Sequence, residues 1–326
     1  MRSVPVGSQG LETSQLALGC MGMSEFYIGA TDAESRATIQ EAVELGITLY
    51  DTADMYGPFT NERLLGECLR SCRDRVQIAT KFGYVRGSDG TRRGLCGSSQ
   101  YVKSACDASL LRLRCHYIDL YYLHRVDRSV PIEETVGAMA DLVHEGKVRF
   151  IGLSEVSPAT LRRAHSVFPI SAVQTEYSLL SRDPERELLS ALESLGVGLV
   201  AYAPLGRGLL SGRFHTVSDV PEFDYRRTTP RFAPGNLEHN SKLVKKLEVI
   251  AADYHVTPAQ MAIAWLKSKV TNGVILIGTA QRRRLAENLT AMQIELNSVA
   301  ISALDDIFTM DAVRGARYTD MSRVDG

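Results

Sequence analysis

The chain lacks the long apolar runs and the excess of one charge that mark several large classes of protein. No apolar run reaches the roughly 18 residues that a membrane-spanning helix needs, so we expect no membrane partner. The 326 residues carry a net charge of −1, which gives no electrostatic reason to expect nucleic acid as a partner. The first residues, Met1 to Gly7, lack the apolar core of a secretory signal, so we expect a cytoplasmic protein.

Metal-binding spacings are also missing. The six cysteines include no Cys-x-x-Cys pair, and no two of the seven histidines share a helix face at the spacing of metal ligands. We therefore expect free cysteines in a reducing compartment and no metal site. The chain also has no Gly-x-Gly-x-x-Gly after an early strand, which disfavours a Rossmann cofactor site.

What the chain does have is an alternation of short apolar runs and helical patterns from end to end. Runs that are apolar throughout are typical of strands buried on both faces of a parallel sheet. The predicted strands are residues 16–19, 46–50, 76–81, 118–124, 148–154, 171–176, 197–202 and 273–277. Eight strands alternating with helices predict one (β/α)8 TIM barrel domain over residues 1–326, and a doubly wound open sheet is the competing architecture.

Two segments lie outside this repeat. Residues 3–6 and 11–14 flank Gly7-Ser8-Gln9-Gly10 and predict a β-hairpin before the barrel begins. The connection between the seventh and eighth strands is far longer than the others, with a polar stretch followed by predicted helices at 240–254 and 258–269. A long loop on this face of a barrel is where a lid or a cofactor clamp would lie.

Polar residues stand at or just after the ends of successive predicted strands. In strand order they are Asp51, Lys81, His124, Ser154, Gln174 and Tyr202, and Tyr56 follows Asp51 after one short turn. Because the carboxyl ends of barrel strands meet at one mouth, where active sites lie, we expect these side chains to lie close together.

These residue types favour protonation of an oxygen atom. A phenol has a pKa of about 10, and a lysine ammonium beside Tyr56 would stabilise its phenolate. Asp51 could supply the counter-charge for Lys81, and His124 could hydrogen-bond a carbonyl oxygen. The set suits carbonyl reduction, for which a cofactor must supply the hydride. Each residue alone also fits a structural role, but their coincidence at consecutive strand ends favours the catalytic interpretation.

Two segments could bind such a cofactor. Gly206-Arg207-Gly208 follows a strand, and its backbone amides could line a pyrophosphate while Tyr202 stacks on a nicotinamide ring. After the last strand, Gly278-Thr279 leads into a helix that begins with Arg282, Arg283 and Arg284. Arginines at a helix N-terminus form a good anion site, which fits a 2′-phosphate. A solvated helix face is the alternative for these arginines.

The ordered motifs resemble those of the aldo-keto reductases over nearly the whole chain. They lie at residues 46–56, 81–83, 117–124, 152–154, 174–178 and 201–208. Within the family the chain is most similar to the perakine-reductase and auxin-induced-protein-like branch, which residues 162–170 support. The family usually has proline immediately before Gly278, and this chain has Ile277, which departs from the usual adenosine-phosphate loop.

The resemblance implies a site and a cofactor. It implies Tyr56 as general acid, Asp51 and Lys81 tuning it, His124 orienting the carbonyl, and an extended NADPH. The implied cofactor-binding residues are Ser154, Gln174, Tyr202, Leu205, Gly206, Gly208, Leu209, Gly278, Thr279, Arg284, Glu287 and Asn288.

The substrate is a small carbonyl compound that the sequence does not identify. Candidate pocket walls are Met23, Phe26, Tyr27, Phe82, Tyr84, Phe223 and Tyr225, which would suit an aromatic or alicyclic carbonyl or simply anchor loops. The main alternative function is an NADPH-binding regulatory subunit similar to potassium-channel β subunits, although the four catalytic residues are intact. A lyase that uses Lys81 as a Schiff base would leave Asp51 and Tyr56 without a role. The sequence predicts no oligomeric state.

Overall fold

The computed structural model describes residues 1–87 and 89–325, and its centre is a closed barrel of eight parallel strands. The strands in chain order are β1 (Ser3–Val6), β2 (Leu11–Ser14), β3 (Leu16–Gly19), β4 (Leu49–Asp51), β5 (Gln77–Phe82), β6 (Tyr84–Arg86), β7 (Arg92–Leu95), β8 (Ile118–Leu123), β9 (Val148–Ser154), β10 (Ala172–Glu176), β11 (Gly198–Tyr202) and β12 (Gly273–Gly278). The barrel order is β3-β4-β5-β8-β9-β10-β11-β12, and β12 pairs with β3 to close it. This confirms the predicted (β/α)8 barrel and excludes the open sheet.

Helices connect the strands and cover the outside of the barrel. They are α1 (Asp32–Glu44), α2 (Thr60–Cys68), α3 (Ser99–Leu113), α4 (Ile132–His144), α5 (Pro158–Val167), α6 (Leu188–Leu195), α7 (Asn236–Asp253), α8 (Pro258–Lys269), α9 (Arg282–Thr290) and α10 (Ser298–Ile307). No helix in the described ranges is long and apolar enough to cross a membrane.

Side-chain caps set where several helices begin. The Thr31 side chain accepts a hydrogen bond from the Glu34 backbone N–H at the start of α1, and Ser157 caps α5 in the same way. The Glu34 carboxylate does not return to Thr31, because it accepts hydrogen bonds from Arg282 at the start of α9. Glu34 therefore joins the first and the last helices of the barrel.

The N-terminal hairpin closes the end of the barrel opposite its mouth. Strands β1 and β2 pair antiparallel over the predicted residues, which confirms the hairpin. Val4, Val6 and Leu11 pack against the apolar side chains that fill the barrel lumen. Burying such side chains stabilises the fold by roughly 1.5–3 kcal/mol each. The hairpin therefore keeps water out of the lumen from below.

The predicted long insertion between the last two barrel strands is also confirmed. It contains α7 and α8, and α7 begins four residues before the predicted start at residue 240. Two features were not predicted. Strands β6 and β7 form a second hairpin directly after β5, and residues 312–325 run back across the mouth. The backbone amide of Asp325 donates to the Glu155 carbonyl there. The Asn240 side chain hydrogen-bonds with both the backbone N–H and the backbone carbonyl of Arg314.

Candidate active site

Side-chain alternation explains why the strand ends place polar groups in the mouth. Residues of one strand face the lumen and the surrounding helices in turn. The uppermost lumen positions before the mouth are Leu49, Ala79, Tyr122, Gly152, Ala172 and Val200, where Gly152 leaves room for the Tyr122 ring. Two residues further along each strand come Asp51, Lys81, His124, Ser154, Gln174 and Tyr202. The six predicted residues therefore form one layer.

Lys81 is the centre of the catalytic part of this layer. Its ammonium group donates to the Asp51 carboxylate, to the Thr52 carbonyl at 2.8 Å and to the Tyr56 hydroxyl at 3.4 Å. The other Asp51 oxygen accepts a hydrogen bond of 2.7 Å from the Gln174 side-chain amide. Lys81 is fully buried and Tyr56 is 7% exposed, so the polar cluster is largely removed from water.

Burial determines the protonation state of this cluster. It raises the pKa of Asp51 and lowers the pKa of Lys81, while the attraction between the two opposes both shifts. Burial, and after it the Asp51 charge, raises the pKa of Tyr56 well above its usual value. This differs from the expectation that Lys81 would lower it, because the Asp51–Lys81 pair is neutral overall and burial is the larger effect. Tyr56 is therefore a protonated phenol at neutral pH.

His124 lies beside the tyrosine as a neutral imidazole. Its ring meets the Tyr56 ring edge-on with centroids 5.8 Å apart. Burial, followed by the charges of Arg125 and Lys81, lowers the pKa of His124 well below its usual range. The ring can donate a hydrogen bond to an oxygen atom, but it carries no surplus proton to transfer. Of the two candidate proton donors, Tyr56 is therefore the one that can act as a general acid.

The aromatic residues predicted to line the pocket divide into two groups. Phe26 and Tyr84 pack beside Tyr56, Tyr225 meets Phe26 at 5.4 Å, and Tyr84 meets His124 at 5.0 Å. Phe82 instead faces away from the mouth, fully buried and stacked on Tyr121, because it follows the inward-facing Lys81 in the same strand.

The remaining three predicted wall residues are spread around this group. Met23 is buried in the apolar layer between the barrel and the helices. Phe223 is 89% exposed. Tyr27 lies under the Arg226 guanidinium, 5.1 Å from its ring centroid. The structure thus places Phe82 and Phe223 apart from the aromatic group beside Tyr56, whereas Phe26, Tyr84 and Tyr225 lie together there.

A second polar network, missed by the sequence analysis, covers the other side. The Tyr202 hydroxyl donates to Glu155 at 2.8 Å and lies 2.7 Å from the Tyr318 hydroxyl. Arg317 forms an ion pair of 2.9 Å with the same Glu155 carboxylate. Glu155 has a left-handed backbone with φ of +53°, a strained state for this residue type. Its position directly after Ser154 was the one available signal for its role.

The turn after β11 has an unusual backbone. Gly206, Arg207 and Gly208 all have positive φ, and a side chain at Gly206 would collide with the Leu180 side chain. The amides of Gly206 and Gly208 already donate to the carbonyls of Ala203 and Leu205. They are therefore less available to a pyrophosphate than the sequence predicted.

The flanking residues of this turn have different surroundings. Leu209 is fully buried and anchors the turn in the core, while Leu205 is partly buried. The Arg226 guanidinium lies beside Gly208, where it donates to the Arg207 carbonyl at 3.3 Å. Two guanidinium groups, those of Arg207 and Arg226, therefore lie at the turn, and each has an acidic partner.

Arg284 lies in a group of positive charges at the far end of the same face. Loss of hydration and the neighbouring charges of Arg213 and Arg226 lower the pKa of Arg284. Within residues 1–87 and 89–325, neither Arg213 nor Arg284 forms an ion pair, whereas Arg282 is paired with Glu34 at 3.3 Å. The three consecutive arginines of the sequence therefore do not form one group. Arg282 is paired with Glu34, whereas Arg284 lies near Arg213 of the long insertion. This crowding of like charges fits a phosphate group.

The other residues expected around the adenosine have mixed surroundings. Ile277 simply continues strand β12, in register with Leu18, up to the exposed Gly278. The Thr279 hydroxyl accepts a hydrogen bond from the Gln281 amide, and Glu287 accepts one from Thr257 at the start of α8.

Of the adenosine residues, Asn288 alone has a free amide group. Asn288 is only 4% exposed, and its side chain makes no hydrogen bond within the described part of the chain. It therefore remains available to a ligand, whereas Glu287 is already engaged.

Comparisons with known proteins agree with this geometry. The sequence model of the Aldo/keto reductase family matches residues 15–308. Probable aldo-keto reductase 1 from Glycine max is 42% identical over 321 residues, which cover 98% of this chain and 92% of that protein.

Solved structures give the same result. Glycerol dehydrogenase AKR11B4 from Gluconobacter oxydans superposes with a TM-score of 0.86 at 25% identity, over 95% of this chain and 96% of that one. The thermostable aldo-keto reductase Tm1743, solved with the inhibitor epalrestat, gives 0.75 at 29% identity, over 94% and 100%. The chain therefore belongs to the aldo/keto reductase family.

Proposed function

We propose that the protein reduces an aldehyde or ketone to the alcohol with NADPH as the reductant and Tyr56 as the proton donor. As a family member it is an oxidoreductase that acts on carbonyl compounds, and the family generally uses nicotinamide cofactors. The observation that carries the proposal is the buried contact of Lys81 with both the Asp51 carboxylate and the Tyr56 hydroxyl.

Several residues of the mouth contribute to protonation of the carbonyl oxygen. The substrate oxygen lies between the Tyr56 hydroxyl and a neutral His124 N–H, which hydrogen-bonds it as negative charge develops. NADPH, when bound, supplies the hydride to the carbonyl carbon. Tyr56 then transfers its proton to the oxygen, and the Lys81 ammonium at 3.4 Å stabilises the phenolate that remains. The Asp51 carboxylate keeps Lys81 oriented toward the phenol.

Two ends of the mouth fit the two ends of NADPH. Tyr202, on the inward side of β11, offers its ring for stacking against a nicotinamide, and Ser154 and Gln174 stand beside it for the carboxamide. Arg284 and Arg213, which lack acidic partners in the described ranges, suit the 2′-phosphate that distinguishes NADPH from NADH. We therefore expect a preference for NADPH.

The test is loss of NADPH absorbance with a panel of aldehydes and ketones, for wild type and Tyr56→Phe. General acid catalysis contributes roughly a hundred- to ten-thousandfold, so the variant should lose about that much of kcat. Its affinity for NADPH should stay within a few-fold, because the phenol acts on the substrate oxygen.

A matched control is Tyr117→Phe, because Tyr117 precedes β8 at the opposite end of the barrel. It should reduce the same compounds at the wild-type rate. Retained turnover in Tyr56→Phe would remove the acid from the mechanism. Tight NADPH binding without turnover of any carbonyl by wild type would support the regulatory-subunit alternative instead.

A further inference from the structure

Arg125 is a buried cation in the mouth without an acidic partner. The residue is 6% exposed and directly follows His124. Its Nη1 atom donates to the His124 carbonyl at 2.7 Å and to the Ser154 hydroxyl at 3.2 Å. Among the residues that the structure describes, no Asp or Glu forms an ion pair with it. Burial opposes the charge of Arg125, but the nearby Tyr318, Tyr202 and Glu155 groups outweigh it and raise the pKa of the guanidinium. Arg125 is therefore a charged group in the mouth, and a ligand that brings a negative charge would be favoured beside it.

The charges around the mouth do not balance. The ion pairs beside it join Asp51 to Lys81, Glu155 to Arg317, and Glu176 to both Arg231 and Arg207. With Arg125, five cations thus accompany the three carboxylates of these pairs. Arg207 shares Glu176 with Arg231 and lies on the turn after β11. Arg125 is in none of these pairs, and it lies on the catalytic side beside His124.

The free edge of Arg125 has the geometry of a carboxylate receptor. Its Nε and Nη2 atoms have no hydrogen-bond partner in the described ranges, whereas Nη1 makes both contacts with the protein. Nε–H and Nη2–H form one edge of the planar guanidinium. That edge binds a carboxylate through two parallel hydrogen bonds, and a phenol or an amide cannot match both.

The surroundings of this edge place it in the substrate pocket. Arg125 Cζ lies 5.9 Å from the centroid of the Tyr318 ring, and the His124 ring lies between Tyr56 and Tyr84. An anion on Arg125 would therefore lie next to the carbonyl oxygen that Tyr56 and His124 receive. Aromatic rings would cover the part of the substrate between its two polar ends.

We propose that Arg125 binds a carboxylate group of the substrate, so that the preferred substrates are oxo acids: aldehydes or ketones that also carry a carboxylate. This inference rests on the proposed carbonyl reduction and gives it a substrate class. The chemical step is unchanged, because the carbonyl carbon gains hydride, its oxygen gains the Tyr56 proton and the carboxylate stays intact.

The experiment compares each acid with its neutral ester. The probes are 2-, 3- and 4-carboxybenzaldehyde and their methyl esters, assayed for kcat/KM with NADPH. At the best ring position, wild type should prefer the acid by at least about tenfold, which corresponds to one charge-assisted contact. Arg125→Met should bring the ratio of acid to ester close to one, and Arg125→Lys should retain part of the preference. NADPH affinity should stay within about twofold in both variants.

Controls separate the possible outcomes. Arg163→Met removes one exposed arginine that pairs with Glu133, and it should keep the wild-type ratio. Equal rates for acids and esters in wild type would overturn the inference while leaving carbonyl reduction intact, and this result needs no variant to fold. Equal loss on acid and ester together with weaker NADPH binding would assign Arg125 to the cofactor and also overturn it. Failure to reduce any probe or other carbonyl would count against the proposed function itself.

Discussion

The two ends of the proposed cofactor groove differ in how their charged side chains are paired. At the catalytic end, Asp51 and Lys81 are buried in contact, and the pair is neutral overall. At the other end, burial and the neighbouring charges of Arg213 and Arg226 lower the pKa of Arg284, and within the described ranges Arg226 is the one of the three with an ion-pair partner, Asp224 at 2.7 Å. The first arrangement is complete within the protein, whereas the second has more cations than acidic partners.

This difference indicates what each end does. The two charges of a buried ion pair compensate each other, so the pair needs no ligand. It can then stabilise negative charge that develops on a nearby oxygen during a reaction. Crowded cations gain most when a permanent anion binds between them. The paired end therefore suits catalysis on an uncharged carbonyl, and the unpaired end suits tight binding of a phosphate.

Breaking the pair should have the largest effect. Lys81→Met removes the only cation in contact with the Tyr56 hydroxyl in the described chain. We expect kcat to fall by roughly a hundred- to ten-thousandfold with NADPH affinity nearly unchanged. The Asp51 carboxyl, whose pKa burial already raises, can take up a proton and keep the variant folded. The measurement is kcat across pH together with a fluorescence titration of NADPH.

A surface pair provides the matched control. Lys103 and Asp141 form an ion pair of 2.8 Å on exposed parts of α3 and α4. Exposed pairs contribute little, so Lys103→Met should leave kcat and its pH profile unchanged. A near-normal rate and pH profile in Lys81→Met would mean that the buried pair does not assist the phenol.

Relieving the crowding at the other end should have a smaller effect, limited to one cofactor. A guanidinium grips a phosphate through charge-assisted hydrogen bonds worth roughly 1.5–3 kcal/mol each. Arg284→Ala should therefore weaken NADPH about ten- to hundredfold, toward the lower value because Arg213 remains. NADH affinity should barely change, since NADH has no 2′-phosphate. Fluorescence titrations of both cofactors measure the two constants.

Arg282 is the natural comparison, because it is two residues away and already paired with Glu34. Arg282→Ala should leave the ratio of NADPH to NADH affinity at its wild-type value. If Arg284→Ala weakened both cofactors equally, Arg284 would serve the fold or the adenine, and the phosphate assignment would have to be dropped.

The sequence predicted which polar residues lie together around Lys81, because the signals for their positions are local. Each barrel strand is a short apolar run, and the residue two positions after an inward-facing one returns to the same face. The same rule would have excluded Phe82, which neighbours Lys81 in β5 and must face the other way. The end of a strand alone does not report this alternation, and for this reason Phe82 was expected in the pocket.

The parts that were missed depend on contacts that no local pattern reports. Arg317 and Glu155 are 162 residues apart, and nothing in the terminal segment indicates that it crosses the mouth. The arginine run 282–284 looked uniform, but successive helix residues point about 100° apart, so Arg282 meets Glu34 and Arg284 meets Arg213. Burial of Tyr56 likewise reversed the expected direction of its pKa shift, because desolvation depends on the whole fold.

His124 differs from both groups because it is uncharged in the folded mouth. We expect this to give the protein a modest pH dependence of stability. Above the usual imidazole pKa of about 6.5, the ring is neutral in both the folded and the unfolded chain. Below it, the unfolded chain binds a proton that the folded protein excludes, because burial and the charges of Arg125 and Lys81 lower the folded pKa of His124. Its contribution to the free energy of unfolding should therefore fall by roughly 1 kcal/mol from about pH 7.5 to about pH 5.5.

His124→Gln removes this titration, so the difference in unfolding free energy between wild type and variant should change by that amount over the same range. Urea unfolding at several pH values measures the difference directly, and other groups cancel because both proteins contain them. His116→Gln, which removes an exposed imidazole, should keep the pH dependence of wild type. A constant difference between wild type and His124→Gln would mean that the imidazole takes up its proton in the folded mouth. The neutral hydrogen-bond donor assigned to His124 would then have to be replaced by an imidazolium.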